Sequence, residues 1–177
     1  MNIKYSRLKK VLVIDEGKRN FFYTCPAGKL SIGIGRNIED KPFTSNDIYE
    51  ITGELFFSSD NAIQYVDKNG LSEKNIDLLF RNDVSESYEY LSSIFGSTYL
   101  NQMEQPRVEI LVCMMFNLGY GSFLGFKNMI VQILKGNMVK ASHEIIDSEY
   151  CRNVSTHYRA KRYADSFKKG YWVDYYD

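Results

Sequence analysis

The chain is poor in proline, cysteine and histidine, and neither sign of charge predominates. Three prolines and twelve glycines in 177 residues are too few for a linker-rich chain, and no Pro-rich or Ser-rich stretch divides it. Three cysteines, an odd number with no secretion signal ahead of them, fit reduced thiols rather than a disulfide framework. The two histidines, His143 and His157, form no HExxH with each other and no CxxC is present. A zinc site drawn from them and from Cys25, Cys113 and Cys151 therefore lacks a ligand pattern. No metal and no cofactor are expected. Lys plus Arg number 22, as do Asp plus Glu, so the molecule has no overall field to steer it onto nucleic acid. Only the stretch from Ile133 to Gly170 is locally basic (Lys135, Lys140, Arg152, Arg159, Lys161, Arg162, Lys168, Lys169), and solvated helix faces are its plainest reading. At the N-terminus only four apolar residues, Val11 to Ile14, follow Met-Asn-Ile-Lys-Tyr-Ser-Arg-Leu-Lys-Lys. That run is too short for a signal-peptide core or a membrane span. The expectation is a protein that starts its life in the cytoplasm and makes no stable membrane insertion.

What is present is the composition of a soluble globular chain, 44% hydrophobic and 25% charged. Its length suffices to bury roughly 70% of the unfolded surface without staples. Leu8, Val11, Leu12 and Ile14 predict a first helix over 2–16. A hairpin follows to about Asn37. Thr44 or Ser45 opens a second helix before Gly53, and Ile63 to Val66 belong to an amphipathic run before Asn69-Gly70. Core packing is the first expectation for the aromatics of this stretch, Tyr49, Phe56 and Tyr65. Ser72 caps a helix of about twenty residues, with Leu71 placed to staple onto Ile76 and a stripe of Ile76, Leu79, Phe80, Val84, Tyr88 and Leu91. After a turn beyond Gly96, Pro106 opens a helix whose residues from Val108 to Leu118 are apolar nearly all round, a buried central helix. Short helices follow from Phe126 to Gly136 and from Met138 to about Tyr150. The last runs from near Ser155 to Gly170.

Residues 15–37 hold the chemistry. Glu16 precedes Gly17, where a left-handed cap ends the first helix. The carbonyl end of that helix opposes ionisation of a nearby carboxyl and favours the proton-holding form a general acid needs. Beyond it the period changes to two: Phe21-Phe22-Tyr23 leads to Cys25, Pro26-Ala27-Gly28-Lys29 turns, and Leu30, Ile32 and Ile34 alternate with Ser31, Gly33 and Gly35. Cys25 ends one strand and Ser31 opens the next, so both stand on rigid backbone beside the helix end. Eight residues separate Glu16 from Cys25 and five separate Cys25 from Ser31.

Glu, eight residues, Asp or Cys, five residues, Thr is the catalytic signature of the phage-type lysozymes, glycoside hydrolase family 24, and the chain resembles that family. Gly-Lys-Leu-Ser-Ile-Gly-Ile-Gly-Arg-Asn (28–37) is similar to the family's second hairpin strand, and His157-Tyr-Arg-Ala-Lys-Arg to its Arg-Ala-Lys-Arg block. The resemblance covers most of the chain outside about 41–70, which reads as an insertion that covers the cleft, grips a glycan through Tyr49, Phe56 or Tyr65, or enlarges the small lobe. It implies an α+β, mostly helical fold: a small β lobe over about 17–70, a long interlobe helix over about 71–95, and a helical lobe formed by about 96–177 with 1–16. A substrate cleft would lie between the lobes. It implies an endolysin muramidase that cleaves peptidoglycan between N-acetylmuramic acid and N-acetylglucosamine, with inversion and without cofactor. Such an enzyme would be a monomer and would reach the wall through a holin-type membrane lesion.

By the same resemblance Glu16 is the general acid, with Cys25 and Ser31 on the opposite side of the sugar. Cys25 stands where the best-known members have Asp, and Ser31 where the family has Thr. Three roles stay open for Cys25: orienting a water, acting as thiolate base, or attacking the sugar. Arg159 matches the arginine that reaches the catalytic glutamate. Asp15 matches an acidic residue supporting the helix end, and Phe116 and Asn117 match positions at the glycan cleft. Arg36 stands where some members carry His, and a salt bridge to the long helix is its expected use. Two other readings compete. One is a Cys-His peptidase or amidase using Cys25 with His143 or His157, although such nucleophiles typically sit at a helix N-terminus whereas Cys25 leads into a turn. The other is a peptidoglycan-binding phage structural module without catalysis.

Overall fold

The computed structural model describes residues 3–25, 28–54 and 58–173. The fold is α+β and mostly helical, with one small antiparallel sheet, as the sequence predicts. The chain forms two compact units: Val11–Asp83, and Met1–Lys10 together with Val84–Asp177.

The smaller unit starts inside helix α1 (Tyr5–Glu16), which stops at Gly17, φ +78°, whose N–H donates to the Val13 carbonyl. Strands β1 (Arg19–Thr24), β2 (Leu30–Gly33) and β3 (Arg36–Asn37) pair in order, antiparallel. The sequence reading carried the alternation of the second strand on through Ile34 and Gly35. Instead the chain turns there: Gly33 and Gly35 take positive φ (+67° and +73°), a conformation open to glycine, and Ile32 pairs with Arg36 across the turn. The predicted hairpin is therefore a three-stranded meander.

Helix α2 (Ser45–Thr52) opens with a reciprocal cap. The Thr44 hydroxyl accepts from the Asp47 N–H at 3.1 Å while the Asp47 carboxylate accepts from the Thr44 N–H at 3.0 Å. Helix α3 (Ser59–Asn69) packs on α2 and β1. Tyr49 and Tyr65 are exposed rather than in the core, because α2 buries Asp47, Ile48 and Ile51 and α3 buries Ala62 and Val66 on other faces. Phe56 lies outside the described residues. Ser72 caps α4 (Glu73–Phe95), its hydroxyl accepting from the Asn75 N–H at 3.1 Å.

The larger unit is helical. Helix α1 begins at Tyr5; Asn2, where the sequence predicts its start, lies outside the described residues, and the Lys4 N–H just before the helix donates to the Glu109 carboxylate. The residues between Gly96 and Pro106, read as a turn, include α5 (Ser97–Gln102). Pro106 lies in the first turn of α6 (Gln105–Leu124), whose residues 108–115 are all buried. Helix α6 has the length and apolarity of a membrane span, but it is the core of this unit: its buried Glu109 accepts from Lys4 N, Arg7 Nη1, Gln105 Nε2 and Trp172 Nε1. Helices α7 (Lys127–Leu134), α8 (Met138–Ile146), α9 (Glu149–Arg152) and α10 (His157–Lys169) complete it, with α10 packed on α6, α8 and α9. The helix expected from Met138 to Tyr150 is two helices. Ser148 takes an extended conformation and caps α9 through the Cys151 N–H.

Candidate active site

Within the smaller unit the end of α1 and the β2–β3 turn come together. Glu16 is half-buried, and a Cβ built on Gly35 would stand 3.2 Å from its Cβ and Cγ and 3.4 Å from its Oε2. The missing side chain of Gly35 leaves room for the side chain of Glu16. Gly35 is held in that place by the turn between β2 and β3.

The β1–β2 ladder places the other groups. Tyr23 and Ser31 are direct partners across it, and the Cys25 N–H donates to the Lys29 carbonyl at 2.9 Å, which carries the pairing one residue past Thr24. Ser31 is 1% exposed and its hydroxyl donates to the Lys29 carbonyl at 3.3 Å. With its one proton committed there, Ser31 presents only acceptor lone pairs to anything else. Cys25 is half-buried and in no disulfide.

Tyr23 is half-buried, and its phenol is pushed above the usual tyrosine value. Burial is the main cause, the negative charges of Glu16 and Cys25 add to it, and Arg19 opposes them. The Tyr23 hydroxyl thus feels both candidate groups at once. No sequence argument singled it out, although period-two spacing already put Tyr23 on the strand face of Cys25. Gly35 was missed for a different reason: the close approach depends on the turn.

Arg36 is buried and anchors the far side of the sheet. Its guanidinium donates to Asp83 of α4 at 3.1 Å, to Asp47 of α2 at 3.0 Å, and to the carbonyls of Lys41 and Pro42. Asp47 also accepts from Asn82 at 3.0 Å. Arg36 thus ties β3 to α2 and α4. Asp15 is half-buried in the last turn of α1.

The remaining candidates belong to the larger unit. Arg159 is half-buried in the first turn of α10. Phe116 and Asn117 are half-buried just before Gly119 breaks α6 (φ +72°, ψ +165°), and Asn117 Oδ1 accepts from the Tyr150 hydroxyl at 3.1 Å. Both histidines lie in this unit too: His143 is exposed on α8, and His157 Nδ1 donates to the Cys151 carbonyl at 2.7 Å. That bond occupies one ring nitrogen of His157.

No family model matches the chain. A curated protein of Dictyostelium discoideum, probable T4-type lysozyme 2, is 27% identical to it over 173 residues, or 96% of this chain and 98% of that protein. The chain is similar to the T4-type lysozymes. The similarity to this lysozyme runs nearly end to end, so it takes in both the segment of Glu16, Cys25 and Ser31 and the segment of Arg159. It also spans residues 41–70, where the motif resemblance lapses.

Proposed function

We propose that this protein is a muramidase that hydrolyses the β-1,4 bond between N-acetylmuramic acid and N-acetylglucosamine in bacterial peptidoglycan. The observation that carries the reading is the seat of Glu16: a carboxyl at a helix end, packed on the bare backbone of Gly35, in a chain similar to a T4-type lysozyme along its length. In this mechanism Glu16 gives its proton to the glycosidic oxygen as the bond from that oxygen to the anomeric carbon breaks. A water on the opposite face of the sugar forms the new bond to carbon, which inverts the configuration, and the proton it sheds passes to solvent, from which Glu16 is reprotonated. Ser31 accepts a hydrogen bond from that water. Cys25 stands beside it, and a thiol with a reference pKa near 8.5 is a weaker base at neutral pH than the Asp of other members. Arg159, Asp15, Phe116 and Asn117 keep the supporting roles that the resemblance gives them.

The biological reading is an endolysin that works as a monomer. It is made in the host cytoplasm and released to the wall through a holin-type membrane lesion. Lysis of cells that express this protein alone would contradict the release step.

The chemistry is tested by digesting purified peptidoglycan, reducing the products with borohydride and identifying the new ends. Reduced N-acetylmuramic acid at the ends of soluble muropeptides is the expected result. Free stem peptides with intact glycan would favour a Cys25-based amidase instead.

A further inference from the structure

The site as drawn leaves a water with more protons than acceptors. A water that attacks carbon needs one lone pair free and both its O–H bonds directed to acceptors. Ser31 supplies one acceptor, its own proton being committed to the Lys29 carbonyl. A neutral thiol at Cys25 is a weak second one.

Tyr23 meets the need by position. Its Cα is the direct partner of Ser31 across the β1–β2 ladder, so the two side chains stand on one face of the sheet. Cys25 follows Tyr23 by two residues on a ladder still paired through Cys25 N and Lys29 O, which returns it to that face. The Tyr23 side chain is only half-buried, and its hydroxyl makes no hydrogen bond among the described residues. A half-buried phenol in this place is open to a ligand.

We propose that Tyr23 is a further catalytic residue, whose phenol oxygen accepts the second O–H of the attacking water and holds it between Ser31 and Cys25. The proposal rests on the muramidase reading and adds a third member to the water side of the site. A phenol is ordinarily protonated at neutral pH and burial pushes this one further up, so it orients the water without adding charge beside Glu16.

Replacing Tyr23 by Phe removes one oxygen and leaves the ring. The expected result is a fall in kcat of about tenfold, the worth of one lost hydrogen bond at the reacting atom, with KM and melting temperature unchanged. In a kcat double-mutant cycle, Tyr23→Phe and Ser31→Ala should be non-additive, because both hold one water. Azide has no proton to place and should restore turnover in Tyr23→Phe, giving a glycosyl azide that mass spectrometry detects. Wild-type kcat in Tyr23→Phe, or a loss that azide does not rescue, overturns the proposal. If that happens while wild type cleaves glycan and Glu16→Gln does not, the muramidase reading survives without it. If wild type releases no glycan fragments, both fall.

Discussion

At the scale of single residues, the candidate site comprises a carboxyl, a thiol, two hydroxyls and one absent side chain. Glu16→Gln keeps the shape and removes the transferable proton, so kcat should fall by roughly 10²–10⁴ while the enzyme still binds insoluble peptidoglycan, as pull-down would show. Gly35→Ala acts on the same carboxyl from the other side. The new Cβ would stand 3.2 Å from Glu16 Cβ and Cγ at a φ of +73°. The left-handed backbone alone should cost about 1–2 kcal/mol, yet activity measured well below the melting temperature should fall further than that cost explains, because the acid is displaced. The local backbone of these candidates was legible in the sequence: Glu16 ends helix α1, and Ser31 lies on a strand paired with the one that leads to Cys25. Tyr23 and Gly35 were not legible, because their importance lies in distances across a turn and a ladder.

At the scale of elements, Arg36 and its two carboxylates, Asp47 and Asp83, bind strand β3 to α2 and α4. All three side chains are buried, so Arg36→Met should leave uncompensated buried charge. It should destabilise the protein by roughly 3–5 kcal/mol, measured by urea denaturation, and Thr44→Ala in the same unit by about 1 kcal/mol through loss of the helix cap. The N-terminus of α6 offers a pH test. Glu104, the residue before the helix, accepts a hydrogen bond from Arg107, which holds its carboxyl below the usual range against a smaller upward push from burial. A lowered carboxylate pKa contributes stability that is complete above the unfolded value and lost as pH falls through the folded one. Glu104→Gln should therefore narrow its stability gap to wild type in acid, when melting temperatures are compared across the carboxylate range. Periodicity found the long α4 and α6, where apolar stripes repeat over many turns. It missed the break at Ser148 and the turn at Gly35, which are decided by a single cap and by single glycine dihedrals. It also put Tyr49 and Tyr65 in a core that α2 and α3 fill with smaller aliphatic side chains.

At the scale of the molecule, both units bury charge for structural ends. Glu109, fully buried in α6, gathers donors from Lys4, Arg7, Gln105 and Trp172, so segments far apart in the chain are held to one core carboxylate. Trp172→Phe removes a single donor to that carboxylate and should cost roughly 1.5–3 kcal/mol, seen as a lower melting temperature without loss of kcat at 25 °C. The fold class and the similarity to a lysozyme converge on glycan hydrolysis, and the most direct test uses the whole protein on its whole substrate. Purified peptidoglycan would be treated with wild type and with Glu16→Gln, and the soluble fragments identified by mass spectrometry. Wild type should release muropeptides ending in reducible N-acetylmuramic acid, and the variant should not. Equal release by both proteins, or release of stem peptides from uncut glycan, would contradict the muramidase reading.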